Sequence, residues 1–199
     1  MVKIKFPDGA TRSYESGLTP YEIAYSISSG LARNIISSDF NGQKIETTTQ
    51  IFDDGNLTFY TWKDNEGKEA FWHSTAHLLA QVLEEFYDGI KLTIGPAISN
   101  GFYYDVDFGK HSMSEKDFLK IEKRMIEIAR EKHEFKLRSI SKKEALDFYK
   151  KNKNQYKIEL IENLTDGEIT FCDHDNFTDL CKGGHIPHTG LIKAVKLMS

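Results

Sequence analysis

The sequence lacks three features that would each mark a particular class of protein. It has two cysteines in 199 residues, Cys172 and Cys181, which excludes a disulfide-stapled secreted scaffold and favours a reducing, cytoplasmic compartment. It has no apolar run of bilayer-spanning length and no signal peptide at its start, so we expect no membrane partner. It has no basic excess, because 26 lysines and arginines against 30 aspartates and glutamates leave a net charge of −4. Any nucleic-acid contact must therefore be local, or shared with another part of a larger protein.

Residues 1–62 contain both strand and helix patterns. Alternating apolar and polar residues predict a hairpin over residues 2–15, with its turn at Asp8-Gly9. Thr19 and Glu22 form a capping box that begins a helix, and we expect Gly30 to end it. Further strands are predicted at residues 34–36, 43–45 and 57–60. No nucleophile and base stand together here, so we interpret residues 1–62 as a binding or positioning domain.

A polar, charged segment at residues 63–69 predicts a linker, and we expect a second domain over residues 63–199. A helix should follow from about residue 70 to residue 87. Its apolar stripe recurs at three- and four-residue steps and comprises Trp72, Ala76, Leu79, Leu83 and Phe86. His73 and His77 lie about 100° round this helix, so they flank the core rather than fill it.

The rest of the second domain also mixes strands with helices. A strand is predicted at residues 102–106, and helices are predicted to begin at Ser114 and Ser141. The first of these helices has an apolar stripe of Phe118, Ile121, Met125 and Ile128. Strands at residues 156–161, 169–172 and 191–197 would complete a sheet. The fold class is therefore α+β, and the abrupt end of the sequence leads us to expect a piece of a larger protein.

Four side chains far apart in sequence stand out as a candidate site. His73 and His77 are spaced to share one helical face, and Cys181 and His185 flank a turn at Gly183-Gly184. Three imidazoles and a thiol form either a zinc-ligand set or a polar catalytic pocket. Isolated histidines and cysteines are more often structural residues than ligands, but two convergent pairs weaken that interpretation.

Two specific chemistries can be weighed from the residues alone. A zinc-protease helix requires glutamate directly after its first histidine, and Ser74 stands there instead, so that class is excluded. A Cys-His hydrolase would use Cys181 as its nucleophile, but no orienting asparagine or aspartate can be assigned to it. Zinc binding and metal-free catalysis both stay open at this point.

Several motifs together suggest a family. They are His73-Ser74-Thr75-Ala76-His77, Ile94-Gly95-Pro96, Asn100-Gly101-Phe102-Tyr103-Tyr104-Asp105, Tyr156-Lys157 and Asp179-Leu180-Cys181-Lys182-Gly183-Gly184-His185. In this order they closely resemble the editing domain of bacterial threonyl-tRNA synthetases. Residues 1–62 resemble the TGS domain, a ubiquitin-like β-grasp module, so the resemblance covers essentially the whole chain. One departure is Gly184, where many relatives are expected to have proline; with glycine there, we expect a looser turn at His185.

The resemblance implies hydrolytic editing, in which the ester of serine wrongly attached to threonine-specific tRNA is deacylated. It makes His73 the candidate to position or activate water, with Lys157 assisting and anchoring the terminal ribose. Asp179 would bind the α-ammonium of the substrate, and Tyr104 would form a wall of the pocket. The side chains of His77, Cys181 and His185 would hold the water and the ester.

The resemblance also implies partners and leaves two other functions open. The partners are the 3′ end of the tRNA and the serine moiety, and no cofactor is expected, although zinc at His73, His77, Cys181 and His185 is the less favoured alternative. The parent enzyme would be a homodimeric, ATP-binding threonine–tRNA ligase in the cytoplasm. Its catalytic core and anticodon-binding domain are absent from these 199 residues. The other functions are a non-catalytic module that binds the tRNA acceptor stem and a zinc-dependent deacylase of the alanyl type.

Overall fold

The structure, a computed structural model, describes residues 1–198 and divides into two compact units. The first unit comprises Met1–Phe71 and Gly183–Pro187, and the second comprises Trp72–Lys182 and His188–Ser199. Helices and strands are mixed in both units, which confirms the α+β class. No helix within the described residues is long and apolar enough to cross a bilayer.

The first unit is a five-stranded sheet with helical segments. Its elements are β1 (Val2–Lys5), β2 (Thr11–Tyr14), α1 (Pro20–Ile27), α2 (Ser29–Asn34), β3 (Ile35–Phe40), β4 (Gln43–Ile45) and β5 (Gly55–Thr61). The sheet order is β2-β1-β5-β3-β4, with β1 and β5 parallel and the other neighbours antiparallel. A buried cluster of Val2, Ile4, Phe6, Ile23, Ile51 and Leu57 joins α1 to this sheet. The arrangement is that of a β-grasp domain, as predicted.

The predicted capping box at the start of α1 is present, but the predicted end of the helix is wrong. Thr19 accepts from the backbone N–H of Glu22, and the Glu22 carboxylate accepts from the backbone N–H of Thr19. The helix ends at Ser28, whose extended backbone interrupts the turn and whose hydroxyl caps α2. Gly30 therefore lies inside α2 instead of ending α1.

Helix α3 (Asn65–Phe86) begins within the segment predicted as a linker. Gly67 explains why a glycine stands there, because a Cβ at this position would lie 2.1 Å from the carbonyl oxygen of Thr61. The glycine therefore permits a close backbone approach and does not indicate a flexible connection. The predicted stripe is confirmed at Ala76, Leu79 and Leu83, which are buried.

The second unit contains a three-stranded antiparallel sheet and three further helices. The remaining elements are β6 (Lys91–Leu92), β7 (Ala97–Ile98), β8 (Gly101–Phe102), β9 (Val106–Asp107), α4 (Glu115–Glu131), β10 (Lys136–Ser139), α5 (Lys142–Lys151), α6 (Gln155–Glu162), β11 (Thr170–His174) and β12 (Phe177–Leu180). The sheet order is β10-β11-β12, and β6 pairs with β9 and β7 with β8 in two short ribbons. A core cluster of Ala145, Tyr149, Ile158, Ile161, Ile169 and Phe171 packs α5 and α6 against β11.

The predicted helices of this unit are confirmed, but two predicted strands are wrong. The apolar stripe of α4 is fully buried, as its period requires. Residues 156–161 form α6, because the buried positions Lys157, Ile158 and Ile161 follow a helical period and Asn154 caps the helix. Residues 191–197 contain no strand; Leu191 is the last residue of a 3-10 turn (Thr189–Leu191). The predicted strand at 102–106 is divided between β8 and β9.

Candidate active site

The centre of the candidate site lies in the second unit, where α3 faces the end of β12. His73 and His77 are one helical turn apart, and their ring centroids are separated by 4.8 Å. On β12, the alternation of a strand places Asp179 on the buried face, and Cys181 follows two residues later. A helical step of four residues is about 6 Å and a strand step of two residues is about 6.6 Å. The spacing of His73 and His77 along α3 therefore matches the spacing of Cys181 and Asp179 at the end of β12.

This arrangement brings three of the four predicted side chains, those of His73, His77 and Cys181, close to one another. His73 Nε2 lies 3.0 Å from Cys181 Sγ, and His77 Nδ1 lies 3.8 Å from Asp179 Oδ2. The donor atoms of His73, His77 and Cys181 belong to a group within 4.8 Å of one another that could hold a metal ion. The backbone of Cys181 is fixed by Thr170 on β11, which accepts from its N–H and donates its hydroxyl to its carbonyl.

The donor set is chemically suited to zinc, but the distance between two of its members is that of a direct hydrogen bond. Ligand bonds of about 2.0 Å to nitrogen and 2.3 Å to sulfur would place tetrahedral neighbours about 3.5 Å apart. The 3.0 Å separation between His73 and Cys181 is shorter than that. A bound zinc ion would therefore require these two side chains to separate slightly.

Asp179 is bound by several side chains of the site. Its Oδ1 lies 2.6 Å from Lys157 Nζ and accepts from the hydroxyl of Tyr149 at 3.1 Å. Its Oδ2 accepts from the hydroxyl of Tyr104 at 2.5 Å. The side chains of Asp179 and Lys157 are 4% and 3% exposed, so the ion pair is buried. A buried pair of this kind is maintained because each charge compensates the other.

The two tyrosines donate to different oxygens of the carboxylate. Burial, and then the charge of Asp179, raise the pKa values of Tyr104 and Tyr149 well above that of an ordinary tyrosine, so both remain donors. Tyr149 also accepts from the backbone N–H of Leu180 at 2.8 Å. The ring of Tyr104 lies against Gly95, where a Cβ would come within 2.3 Å of it. Gly95 in the Ile94-Gly95-Pro96 motif thus makes room for Tyr104.

His185 belongs to the first unit and has a carboxylate partner there. Its Nδ1 lies 2.9 Å from Glu46 Oε1, and the same oxygen accepts from the backbone N–H of Gly184 at 3.1 Å. Gly184 has a φ of +83°, and proline can provide neither that angle nor the N–H. The glycine at this departure from the expected motif therefore supports the contact with Glu46.

Sequence reasoning missed three side chains that lie beside predicted site residues. Tyr149 and Glu46 sit in segments with ordinary patterns, and only the tertiary fold shows what they contact. Glu84 is one residue after the apolar stripe of α3 and has the appearance of a solvated helix residue. Although its side chain is partly exposed to solvent, Glu84 lines a cavity together with Asp179, and partial desolvation, and then the charge of Asp179, raise its pKa to about 7.

Comparison with known proteins shows which family this sequence resembles. The TGS domain matches residues 2–61, and the second additional domain of threonyl and alanyl tRNA synthetases matches residues 169–199. The chain is 62% identical over all its 199 residues to threonine--tRNA ligase of Flavobacterium psychrophilum. By sequence, the chain belongs to the threonyl-tRNA synthetase family.

Other relatives support the same assignment. Threonine--tRNA ligases of Flavobacterium johnsoniae and Cytophaga hutchinsonii are 63% and 51% identical, again over the whole of this chain. The chain spans about 30% of the length of these relatives. It corresponds to the part of a threonyl-tRNA synthetase that carries the TGS and second additional domains.

Proposed function

We propose that this chain is the editing region of a threonyl-tRNA synthetase and hydrolyses the ester that links serine to threonine-specific tRNA. The observation that carries the proposal is the contact between His73, Cys181, His77 and Asp179 in a chain of this family. An imidazole and a buried carboxylate in one site can serve the two ends of an aminoacyl ester. One end is the carbonyl that water attacks, and the other is the α-ammonium.

A second site is needed because the first cannot separate the two amino acids. Serine lacks one methyl of threonine, and a contact of that size separates substrates by only about 10–200-fold. An editing pocket can use the same methyl to exclude threonine, since serine fits where the methyl of threonine would clash. Shape must provide the discrimination, because both esters carry the same hydroxyl, amine and carbonyl.

His73 is proposed to position the attacking water and to take its proton. The oxygen of this water then bonds to the ester carbonyl carbon, and the negative charge that develops on the carbonyl oxygen needs donors to stabilise it. Collapse of this intermediate breaks the bond to the ribose oxygen, which receives a proton and leaves as the terminal hydroxyl of the tRNA. Serine and deacylated tRNA are the products.

The other predicted residues take supporting roles in this proposal. Asp179 would bind the α-ammonium through a charge-assisted hydrogen bond, and Tyr104, which already donates to Asp179, would form a wall beside it. Lys157 would assist and would anchor the ribose after exchanging its partner. His77 and Cys181 would hold the water and the ester. We retain His185 as the fourth member on the spacing of the Cys-x-x-x-His motif.

We also propose that the reaction needs no bound metal, and that the tRNA partner is held by its 3′ end. The hydrogen-bond distance between His73 and Cys181 supports the first point. The family assignment supports the second, together with a cytoplasmic setting and a homodimeric parent enzyme. A zinc-dependent deacylase of the alanyl type and a non-catalytic acceptor-stem binder are the outcomes that would replace this proposal.

The proposal is tested by deacylation of purified seryl-tRNA under single-turnover conditions with His73→Ala and a matched histidine variant. His111→Ala is the control, because His111 lies outside the cluster and contacts the carbonyl oxygen of Asp88. The loss of His73 should slow hydrolysis on the order of 10²-fold or more, since it removes a water-positioning or proton-transfer group. The rate of His111→Ala should match that of the unmodified chain. Unchanged hydrolysis in His73→Ala would exclude this residue from the mechanism.

A further inference from the structure

A cavity of about 240 Å³ adjoins the buried ion pair of the site, and the mechanism above does not use it. It lies within the second unit and is lined by Asp179 and Tyr149, by the apolar side chains Ile90 and Leu92, and by Asn154 and Glu84. Glu84 is a second carboxylate in the same cavity as Asp179. Its presence requires an explanation, because two neighbouring carboxylates repel each other when both are charged.

The charge balance of the site changes when a substrate arrives. In the ligand-free structure, the negative charge of Asp179 is compensated by Lys157 at 2.6 Å, and both side chains are buried. A substrate α-ammonium would bring a second positive charge to a single buried carboxylate. Two buried cations that share one anion leave one charge uncompensated, which is strongly unfavourable. A further negative charge close to Asp179 would remove this imbalance.

We propose that Glu84 is a positioning residue that supplies this charge, so that Asp179 can hold the substrate amine while Lys157 remains an ammonium in the same pocket. The inference rests on the proposed role of Asp179 in binding the amine. Glu84 has no assigned role in the motifs of the family described above, and it acts through Asp179 and Lys157 rather than on the ester.

The charged and titratable groups around Glu84 support a proton-linked response. Partial desolvation at the cavity and the charge of Asp179 on β12 favour its neutral form, whereas Lys157 on α6 and Lys91 on β6 favour its ionised form. Tyr149 on α5 feels its charge as well. With a pKa of about 7, Glu84 is largely protonated at pH 6 in the ligand-free protein. An added ammonium lowers the pKa of a nearby carboxyl, so binding of the substrate amine should release the Glu84 proton.

The number of protons released on binding can be measured without any hydrolysis. The probe is the serine amide of 3′-amino-3′-deoxyadenosine, a non-hydrolysable analogue of the charged tRNA end. Calorimetric titration at pH 6 in two buffers of different ionisation enthalpy counts the protons released per analogue bound. The α-amine of the probe, with a pKa of about 7.7–8, stays protonated at this pH and contributes little.

The matched variants are Glu84→Gln and Glu85→Gln. Glu85 is the adjacent helix residue, and its carboxylate pairs with Arg124 at 2.7 Å. We expect the unmodified chain and Glu85→Gln to release close to one proton, and Glu84→Gln to release close to none. Glu84→Gln should also bind the analogue on the order of tenfold more weakly at pH 8, where Glu84 is ionised in the unmodified chain. An analogue with a hydroxyl in place of the α-amine should show neither effect.

Kinetics with seryl-tRNA separate this inference from the proposed function. Between pH 6 and pH 7, KM of the unmodified chain should fall about fivefold, as expected when a carboxyl with a pKa of about 7 must lose its proton on binding, whereas the pH dependence of kcat should be the same in Glu84→Gln as in the unmodified chain. Glu84→Asp should restore part of this pH dependence, and Glu84→Gln should not. If the unmodified chain hydrolyses seryl-tRNA but Glu84→Gln keeps its proton release and its KM profile, the inference is wrong and the proposed function stands. If the unmodified chain does not bind the amine analogue, the inference is also wrong.

Discussion

Replacement of Asp179 by asparagine tests the ion pair on which the site is built. Asparagine keeps the shape of the side chain and an oxygen that can accept from Tyr104 or Tyr149, but it removes the charge. Lys157, whose side chain is 3% exposed, would then be a buried ammonium without the carboxylate that lies 2.6 Å from it. Breaking a buried pair in this way costs about 3–5 kcal/mol of unfolding free energy. We expect Asp179→Asn to lose that amount in equilibrium urea unfolding at pH 7.5 followed by circular dichroism.

Asp173→Asn is the control for this experiment. Asp173 lies on the neighbouring strand and pairs with Arg138 at 2.5 Å, but the two side chains are 29% and 48% exposed. Loss of a surface pair of this kind should cost less than about 1 kcal/mol. In the double variant Asp179→Asn with Lys157→Met, most of the lost stability should return, since no buried charge remains. Equal costs for Asp179→Asn and Asp173→Asn, or a double variant no more stable than Asp179→Asn, would refute the reasoning.

Three other predictions follow from the same neighbourhood. Tyr149→Phe removes a donor to Asp179 and should cost about 1–2 kcal/mol of unfolding free energy in the same assay; a cost near zero would contradict the bond. The pKa of Glu84 is raised from 4.5 to about 7, so the folded state holds its proton longer and stability should fall as pH rises through this range. Glu84→Gln should therefore have a higher unfolding free energy than the unmodified chain at pH 8, by on the order of 1 kcal/mol after solvent screening, and no advantage at pH 4. The same difference between the two proteins at both pH values would contradict this. Chelator treatment should leave seryl-tRNA hydrolysis unchanged, whereas stoichiometric zinc with activity lost on chelation and restored by zinc would establish a metal site.

The sequence predicted best those features that depend on local patterns. The capping boxes at Thr19 and Ser141 and the buried stripe of α4 follow from side chains a few residues apart, and the structure confirms all three. The strand predicted at residues 156–161 was wrong, because Tyr156, Ile158 and Leu160 also alternate, and a short run cannot separate the two periods. The helical period is recognised only if Lys157 is counted as a buried position, and this lysine is buried because it pairs with Asp179, which is distant in sequence.

The candidate site was only partly within reach of sequence reasoning for the same reason. The approach of the helix that carries His73 and His77 to Cys181 was expected from their motifs, which resemble those of a known family. The ion pair of Lys157 with Asp179 was not expected, since each was considered as a separate contact to the substrate. Tyr149 and Glu84 carry no local signal, because a hydrogen bond to Asp179 and a shared cavity exist only once α3, α5 and β12 are packed together.

The central claim is that this chain removes serine, and not threonine, from threonine-specific tRNA. The measurement is the single-turnover loss of radiolabelled amino acid from one tRNA preparation charged with either serine or threonine. We predict that the seryl ester is hydrolysed and that hydrolysis of the threonyl ester is slower by about 10²-fold or more, since the additional methyl must be excluded by shape. Equal loss of both amino acids would contradict the sieve, and loss of neither would contradict hydrolytic editing by this chain.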